Sequence, residues 1–67
     1  MITICLNERK LNIDKNINIT QLLQQINSPK VGIAVAVNSI IVPQHQWTQT
    51  HLNQNDKVLI VQATQGG

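Results

Sequence analysis

The chain opens on a strict alternation of apolar and polar positions. Ile2, Ile4 and Leu6 alternate with Thr3, Cys5 and Asn7, the two-residue period of a half-buried strand. Asn7-Glu8-Arg9 reads as a turn, and Lys10 to Ile13 as a second strand with Leu11 and Ile13 on one face, so the opening predicts a hairpin. After the polar break Asp14-Lys15-Asn16 the period changes. Ile19, Leu22, Leu23 and Ile26 fall at i, i+3, i+4 and i+7, the single apolar stripe of a helix of about nine residues. Asn18 is a good N-cap, and Gln21 stands where it can reach back to complete a capping box. Ile17 and Leu22 suit a hydrophobic staple across the same end. Asn27-Ser28-Pro29 ends the helix, because Pro29 disfavours helical geometry at Ser28 and has no N–H of its own.

The rest of the chain predicts strands. Val31 to Asn38 is apolar and nearly continuous, which suits a central strand buried on both faces. Asn38-Ser39 is a turn candidate, Ile40-Ile41-Val42 a short strand ended by Pro43, and Asn55-Asp56 another turn. Residues 44–56 are mostly polar, with Trp47 and Leu52 as buried anchors. Lys57 to Gln62 forms a last strand, alternating Val58 and Ile60 against Leu59 and Val61. The order is β-β-α-β-β-β. One short helix covers only one face of a mixed four- to five-stranded sheet, so the expected fold is an α+β roll with the helix lying across it. The expected core is Ile4, Leu6, Ile19, Leu22, Leu23, Ile26, Val58 and Ile60. Leu59 and Val61 are expected on the open face, where two exposed apolar side chains form a candidate docking patch for a partner. Residues 1–62 make the domain and residues 63–67 a flexible tail.

Composition narrows the function. A chain of 67 residues is one small domain with a marginal core, which excludes a two-domain enzyme with a deep cleft. The charged fraction is only 12%, and eight Asn and nine Gln supply the polarity instead. High Asn, Ile and Lys usage fits an AT-rich genome, bacterial or organellar. The net charge is +2, with Arg9, Lys10, Lys15, Lys30 and Lys57 scattered, and Trp47 is the only aromatic residue. With neither a basic run nor a base-stacking platform, no nucleic-acid partner is expected. No apolar run approaches the roughly 20 residues of a membrane span, and no secretory leader is visible, so no membrane partner is expected. The lone Cys5 has no partner for an internal disulfide and fits a reducing compartment.

No catalytic constellation emerges. Glu8, Asp14 and Asp56 fall in turns and read as solvated turn residues. His45 and His51 lack a Cys or carboxylate at ligand spacing and read as surface histidines, so no metal site is expected. Cys5 lacks a neighbour that would lower its pKa and reads as an inert strand cysteine. The end of the chain is different. Gly66-Gly67 follows closely on a strand, and glycine presents no side chain to obstruct a narrow channel. Thr64 to Gly67 could extend by roughly 13 Å, enough to deliver a terminal carboxylate into another protein's active site.

The whole pattern resembles the ubiquitin-like β-grasp fold and, within it, the sulfur-carrier family of thiamine biosynthesis (ThiS). The resemblance is carried by Asn18-Ile19-Thr20-Gln21-Leu22-Leu23, by Ala34-Val35-Ala36-Val37-Asn38, by Ile41-Val42-Pro43 with Trp47 four residues on, and by Leu52, Asp56 and Gly66-Gly67. These pieces run in the family's order over nearly the whole chain. Departures fall at Ser39 and Asn55, where the family often has Gly, and at Gln44, where it often has Arg. Asn55 can still adopt the left-handed angles of glycine.

The resemblance implies a protein cosubstrate, not an enzyme. Gly67 would be adenylated by a ThiF-like partner of the ubiquitin-activating type, using ATP and magnesium that the chain itself does not hold. Sulfur from a donor such as a cysteine desulfurase would convert Gly67 to a thiocarboxylate, Gly66 giving clearance for threading. A ThiG-like thiazole synthase would accept that sulfur. The implied protein is monomeric on its own and sits in the bacterial cytoplasm, or in the plastid stroma if organelle-encoded. Two alternatives stand beside it: a carrier of the molybdopterin-synthase small-subunit type, with the same tail chemistry, and a ubiquitin-like binding module with an inert tail.

Overall fold

Two asparagine-led turns set the sheet. Asn7-Glu8 and Asn38-Ser39 each carry two consecutive positive φ angles, 48° and 69° in the first and 52° and 73° in the second. That is the type I′ pattern, whose twist matches the right-handed twist of the strands it joins and which Asn enters readily. Each turn therefore closes a tight antiparallel hairpin. The computed structural model describes residues 1–62. The elements are β1 (Ile2–Leu6), β2 (Arg9–Ile13), α1 (Ile19–Gln25), β3 (Ile33–Val37), β4 (Ile40–Val42), a 3₁₀ turn at Gln44–Gln46, and β5 (Lys57–Gln62). The proposed tail, residues 63–67, lies outside the described residues.

The five strands lie in the order β2-β1-β5-β3-β4. β1 pairs antiparallel with β2 and parallel with β5, and β3 pairs antiparallel with both β5 and β4. The sheet is thus mixed, with one helix on one face, as expected.

The apolar strand β3 is interior, as expected, but it is not buried on both faces: only Val35 in it is fully buried. The last strand, β5, occupies the middle, and β3 lies beside it with only three-residue β4 beyond. Nor does β3 begin at Val31. Gly32 has φ +75°, which breaks the extended run, and Val31 is 83% exposed.

α1 is started as its sequence predicts. The Asn18 side chain accepts from the Gln21 N–H at 2.8 Å, and the Gln21 side chain accepts from the Asn18 N–H at 2.9 Å, a complete capping box. The helix is shorter than expected, seven residues with Ile26 as its C-cap. Asn27 turns left-handed at φ 57°, donating to Gln24 O at 3.2 Å, while Ser28 N–H reaches Leu23 O at 2.9 Å. This is a Schellman closure with Asn in place of the usual Gly, and it stops the helix before Pro29 acts.

The apolar stripe of α1 meets the sheet in a core of Ile4, Ile13, Ile19, Leu22, Leu23, Val35, Trp47, Leu52 and Val58. Burying each large aliphatic side chain here contributes roughly 1.5–3 kcal/mol. Trp47 and Leu52 are the anchors expected of the long β4–β5 connection. Trp47 donates its indole N–H to Val42 O at 2.9 Å, so its polar atom is satisfied while the ring is buried. The same connection packs beneath the start of the helix, where Leu52 N–H donates to Ile17 O at 3.0 Å. Leu6, Ile26 and Ile60, expected inside, are half-buried at the core's margin, and Ile13 and Val35 hold fully buried places.

Candidate functional site

Gly66 and Gly67, the residues expected to react and to thread, lie outside the described residues. What the structure does give is the strand that leads to them and the surface that strand presents.

β5 runs through the middle of the sheet to Gln62. Val58 points into the core, and the alternate residues Leu59 and Val61 point the other way, 50% and 47% exposed. Their neighbours on β3 are small: Leu59 stands opposite Ala36, and Val61 opposite Ala34. On the far side of Ala36 stands Ile41 of β4, 71% exposed. Leu59, Ala36 and Ile41 thus form an apolar row across three strands, and Val61 with Ala34 extends it toward the end of β5. Beside the row is a shallow hollow of about 160 Å³ whose lining includes Cys5, Ala36, Lys57 and Leu59. The candidate docking residues therefore sit on a continuous apolar face on the same strand that leads to the tail.

The seam between β1 and β5 is short. Only Cys5↔Lys57 and Leu6↔Val58 are in register. Side-chain amides extend it at both ends. At one end Gln54 Oε1 accepts from Thr3 N–H at 2.9 Å. At the other, Asn7 Oδ1 accepts from Ile60 N–H at 2.8 Å while Asn7 Nδ2 donates to Ile60 O at 3.2 Å. A second cluster ties the Asn38-Ser39 turn to the start of β5. Asn38 Nδ2 donates to Asp56 Oδ1 at 3.0 Å, Asn38 Oδ1 accepts from Lys57 N–H at 2.9 Å, and Asp56 Oδ2 accepts from Asn53 N–H at 2.8 Å. Asp56 is therefore not a merely solvated turn residue: its carboxylate joins two turns that flank the strand.

The remaining candidates are dispersed. Glu8 and Asp14 are exposed. His45 is exposed in the 3₁₀ turn, and His51 forms an isolated bridge with Asn18. Among the described residues no three His, Cys, Asp or Glu side chains group as a metal would require. Cys5 is a free, half-buried thiol on the open face. No helix among the described residues is long and apolar enough to cross a membrane. The roles of Asn7 and Gln54 escape a sequence reading, because their partners lie about fifty residues away in the chain. Asn7 carries a signal only for its turn.

Comparison with known proteins agrees with this geometry. Residues 2–67 match the model of the ThiS family. A curated relative, the sulfur carrier protein ThiS of Escherichia coli (strain K12), is 31% identical over 64 residues, covering 96% of this chain and 97% of its own. An uncharacterized protein, ycf40, of Pyropia yezoensis is 30% identical over 66 residues, covering 98% of this chain and 93% of its own. The crystal structure of the thiamine biosynthesis protein ThiS from Geobacter metallireducens superposes with a TM-score of 0.87 over 98% of this chain and 100% of that one, at 19% identity. That likeness establishes the ubiquitin-like β-grasp fold, a mixed five-stranded sheet gripping one helix. The family model, matched over nearly the full length, settles the affiliation: the chain belongs to the ThiS family.

Proposed function

We propose that this protein is a sulfur carrier whose terminal Gly67 is converted to a thiocarboxylate and supplies sulfur for thiazole formation in thiamine biosynthesis. The observation that carries the reading is the family match over residues 2–67, which takes in the terminal Gly66-Gly67. An exposed apolar row on the strand leading to that terminus supports it as well.

The chemistry explains why a carrier needs partners. A carboxylate is a poor electrophile. A ThiF-like adenylating enzyme, with ATP and magnesium, lets a Gly67 carboxylate oxygen attack the α-phosphorus and expel pyrophosphate. The resulting acyl-adenylate has AMP as a good leaving group. The terminal sulfur of a persulfide, supplied by a donor such as a cysteine desulfurase, attacks the acyl carbon and displaces AMP. A thiol then cleaves the S–S bond of the acyl disulfide, leaving the thiocarboxylate on Gly67 and a disulfide on the delivery side. A ThiG-like thiazole synthase accepts the sulfur. This chain contributes no acid, base or metal to these steps. It presents the carboxylate, keeps Gly66 free of a side chain so the end can pass through a narrow channel, and docks through Leu59 and Val61. The thiols and persulfides involved suit a reducing compartment, the bacterial cytoplasm or the plastid stroma.

The test is intact-mass measurement after incubation with an adenylating enzyme, ATP, magnesium and a sulfur donor. A gain of one O-to-S exchange at the C terminus is expected. An unchanged mass would favour a binding module with an inert tail.

A further inference from the structure

We infer that Asn7 is a positioning residue for the transfer at Gly67, acting through the backbone of Ile60. The inference rests on the carrier reading above and adds a residue to it.

The argument begins with how a parallel ladder continues. Asn7 N–H donates to Val58 O at 2.9 Å, the last main-chain rung between β1 and β5. In a regular parallel pair the next rungs would run from Ile60 N–H to the carbonyl of residue 7, and from the N–H of residue 9 to Ile60 O. Neither can form, because the chain turns left-handed at Asn7 and Glu8 and leaves along β2. The Asn7 carboxamide takes both places. Its Oδ1 accepts from Ile60 N–H at 2.8 Å and its Nδ2 donates to Ile60 O at 3.2 Å. A carboxamide has the same donor and acceptor as a peptide unit, so one side chain stands in for a missing stretch of strand.

The location of those rungs gives them a use. Ile60 lies between Leu59 and Val61, the exposed residues of the docking row, and two residues before the end of β5. β3 holds β5 on one side throughout this stretch, with Ala36 opposite Leu59 and Ala34 opposite Val61. On the other side the β1–β5 register ends at Leu6↔Val58, and Asn7 holds Ile60. With the clamp in place, β5 is tied from both sides at Ile60, in the middle of the docking row. Without it, β5 beyond Val58 is held from the β3 side alone, and Ile60 loses its tie to the β1 side. Transfer needs the carboxylate aligned on the α-phosphorus, and a strand end tied from one side only holds that alignment less well.

The experiment uses the full chain with an adenylating enzyme of the ubiquitin-activating type, ATP and magnesium. Asn7→Gly is the main variant, because glycine accepts the positive φ of the turn while removing only the clamp. Asn7→Asp keeps the acceptor for Ile60 N–H but sets an oxygen against Ile60 O. In Asn7→Gly we expect amide exchange at Ile60 to quicken at least ten-fold. The adenylation kcat should fall two-fold or more, with KM for the carrier changed less than two-fold. Asn7→Asp should fall between Asn7→Gly and the parent chain. Unchanged exchange at Ile60 would overturn the clamp. Faster exchange with an unchanged kcat, or a change in KM alone, would overturn its role in transfer. Failure of the unaltered chain to be adenylated would overturn the carrier reading and this inference together, an outcome distinct from a defect confined to the variants.

Discussion

Leu59 stands directly across from Ala36 in the β3–β5 ladder, and the difference in their size leaves the leucine half exposed above a floor of small side chains. An apolar side chain raised on a flat sheet is suited to enter a pocket on a partner, and such anchors carry much of an interface's energy. Leu59→Asp should weaken binding to the adenylating enzyme by about 2 kcal/mol or more, roughly 30-fold, with the thermal midpoint little changed. Titration calorimetry checks the first and circular dichroism the second. An affinity equal to that of the parent chain would move the docking surface elsewhere.

The Asn38-Ser39 turn carries avoidable strain. Ser39 sits at φ 73°, where a side chain costs about 1–2 kcal/mol relative to glycine. Glycine in turn gives the unfolded chain about 0.4–1 kcal/mol more conformational entropy to lose. Ser39→Gly should therefore stabilise the protein by about 0.5–1 kcal/mol, read as a higher urea midpoint at unchanged slope. A lower midpoint would show that the serine is better accommodated than its backbone angle implies.

Leu23 is fully buried at the centre of the helix stripe. Leu23→Ala should cost about 2–5 kcal/mol, a large share of the stability of so small a domain. Chemical denaturation measures it directly, and a midpoint within error of the parent value would be incompatible with the packing described.

Adding one alanine after Gly67 should abolish thiocarboxylate formation. The added residue moves the terminal carboxylate by about 3.3 Å, far beyond the tolerance of an in-line transfer. Gly66→Val should impair it by crowding the channel. Folding should be untouched in both. Sulfur acquisition at the normal rate by the extended chain, without trimming, would contradict the proposed chemistry.

Short-range features were legible in the sequence because their partners are close along the chain. The Asn18–Gln21 capping box spans three residues and is present as read. The limits of β5 also match, since its alternation reports one buried and one open face. The expected burial of β3 on both faces failed for a physical reason. Ala34 and Ala36 are apolar but lie on the open face, so an apolar run that looks buried on both sides covers a core on only one. Val31 extends the same run but falls before the left-handed Gly32. In the candidate site, Leu59 and Val61 could be placed on the open face by phase, whereas Gly66-Gly67, picked out by type, lie outside the described residues. Asn7 could not be picked out, because a parallel seam brings together residues from opposite ends of the chain and leaves no periodic trace.

The joints of this fold are mostly carboxamides: Asn18 with Gln21 at the helix start, Gln54 on Thr3, Asn7 on Ile60, and Asn38 beside Asp56. An amide side chain does not titrate, and its hydrogen bonds do not depend on a counter-charge that dissolved ions can screen. Asp56 apart, the scaffold should hold its geometry across wide ranges of acidity and ionic strength. Under the chemistry proposed for Gly67, in which the end passes from carboxylate to adenylate to thiocarboxylate, that separates the part that changes charge from the part that partners must recognise unchanged.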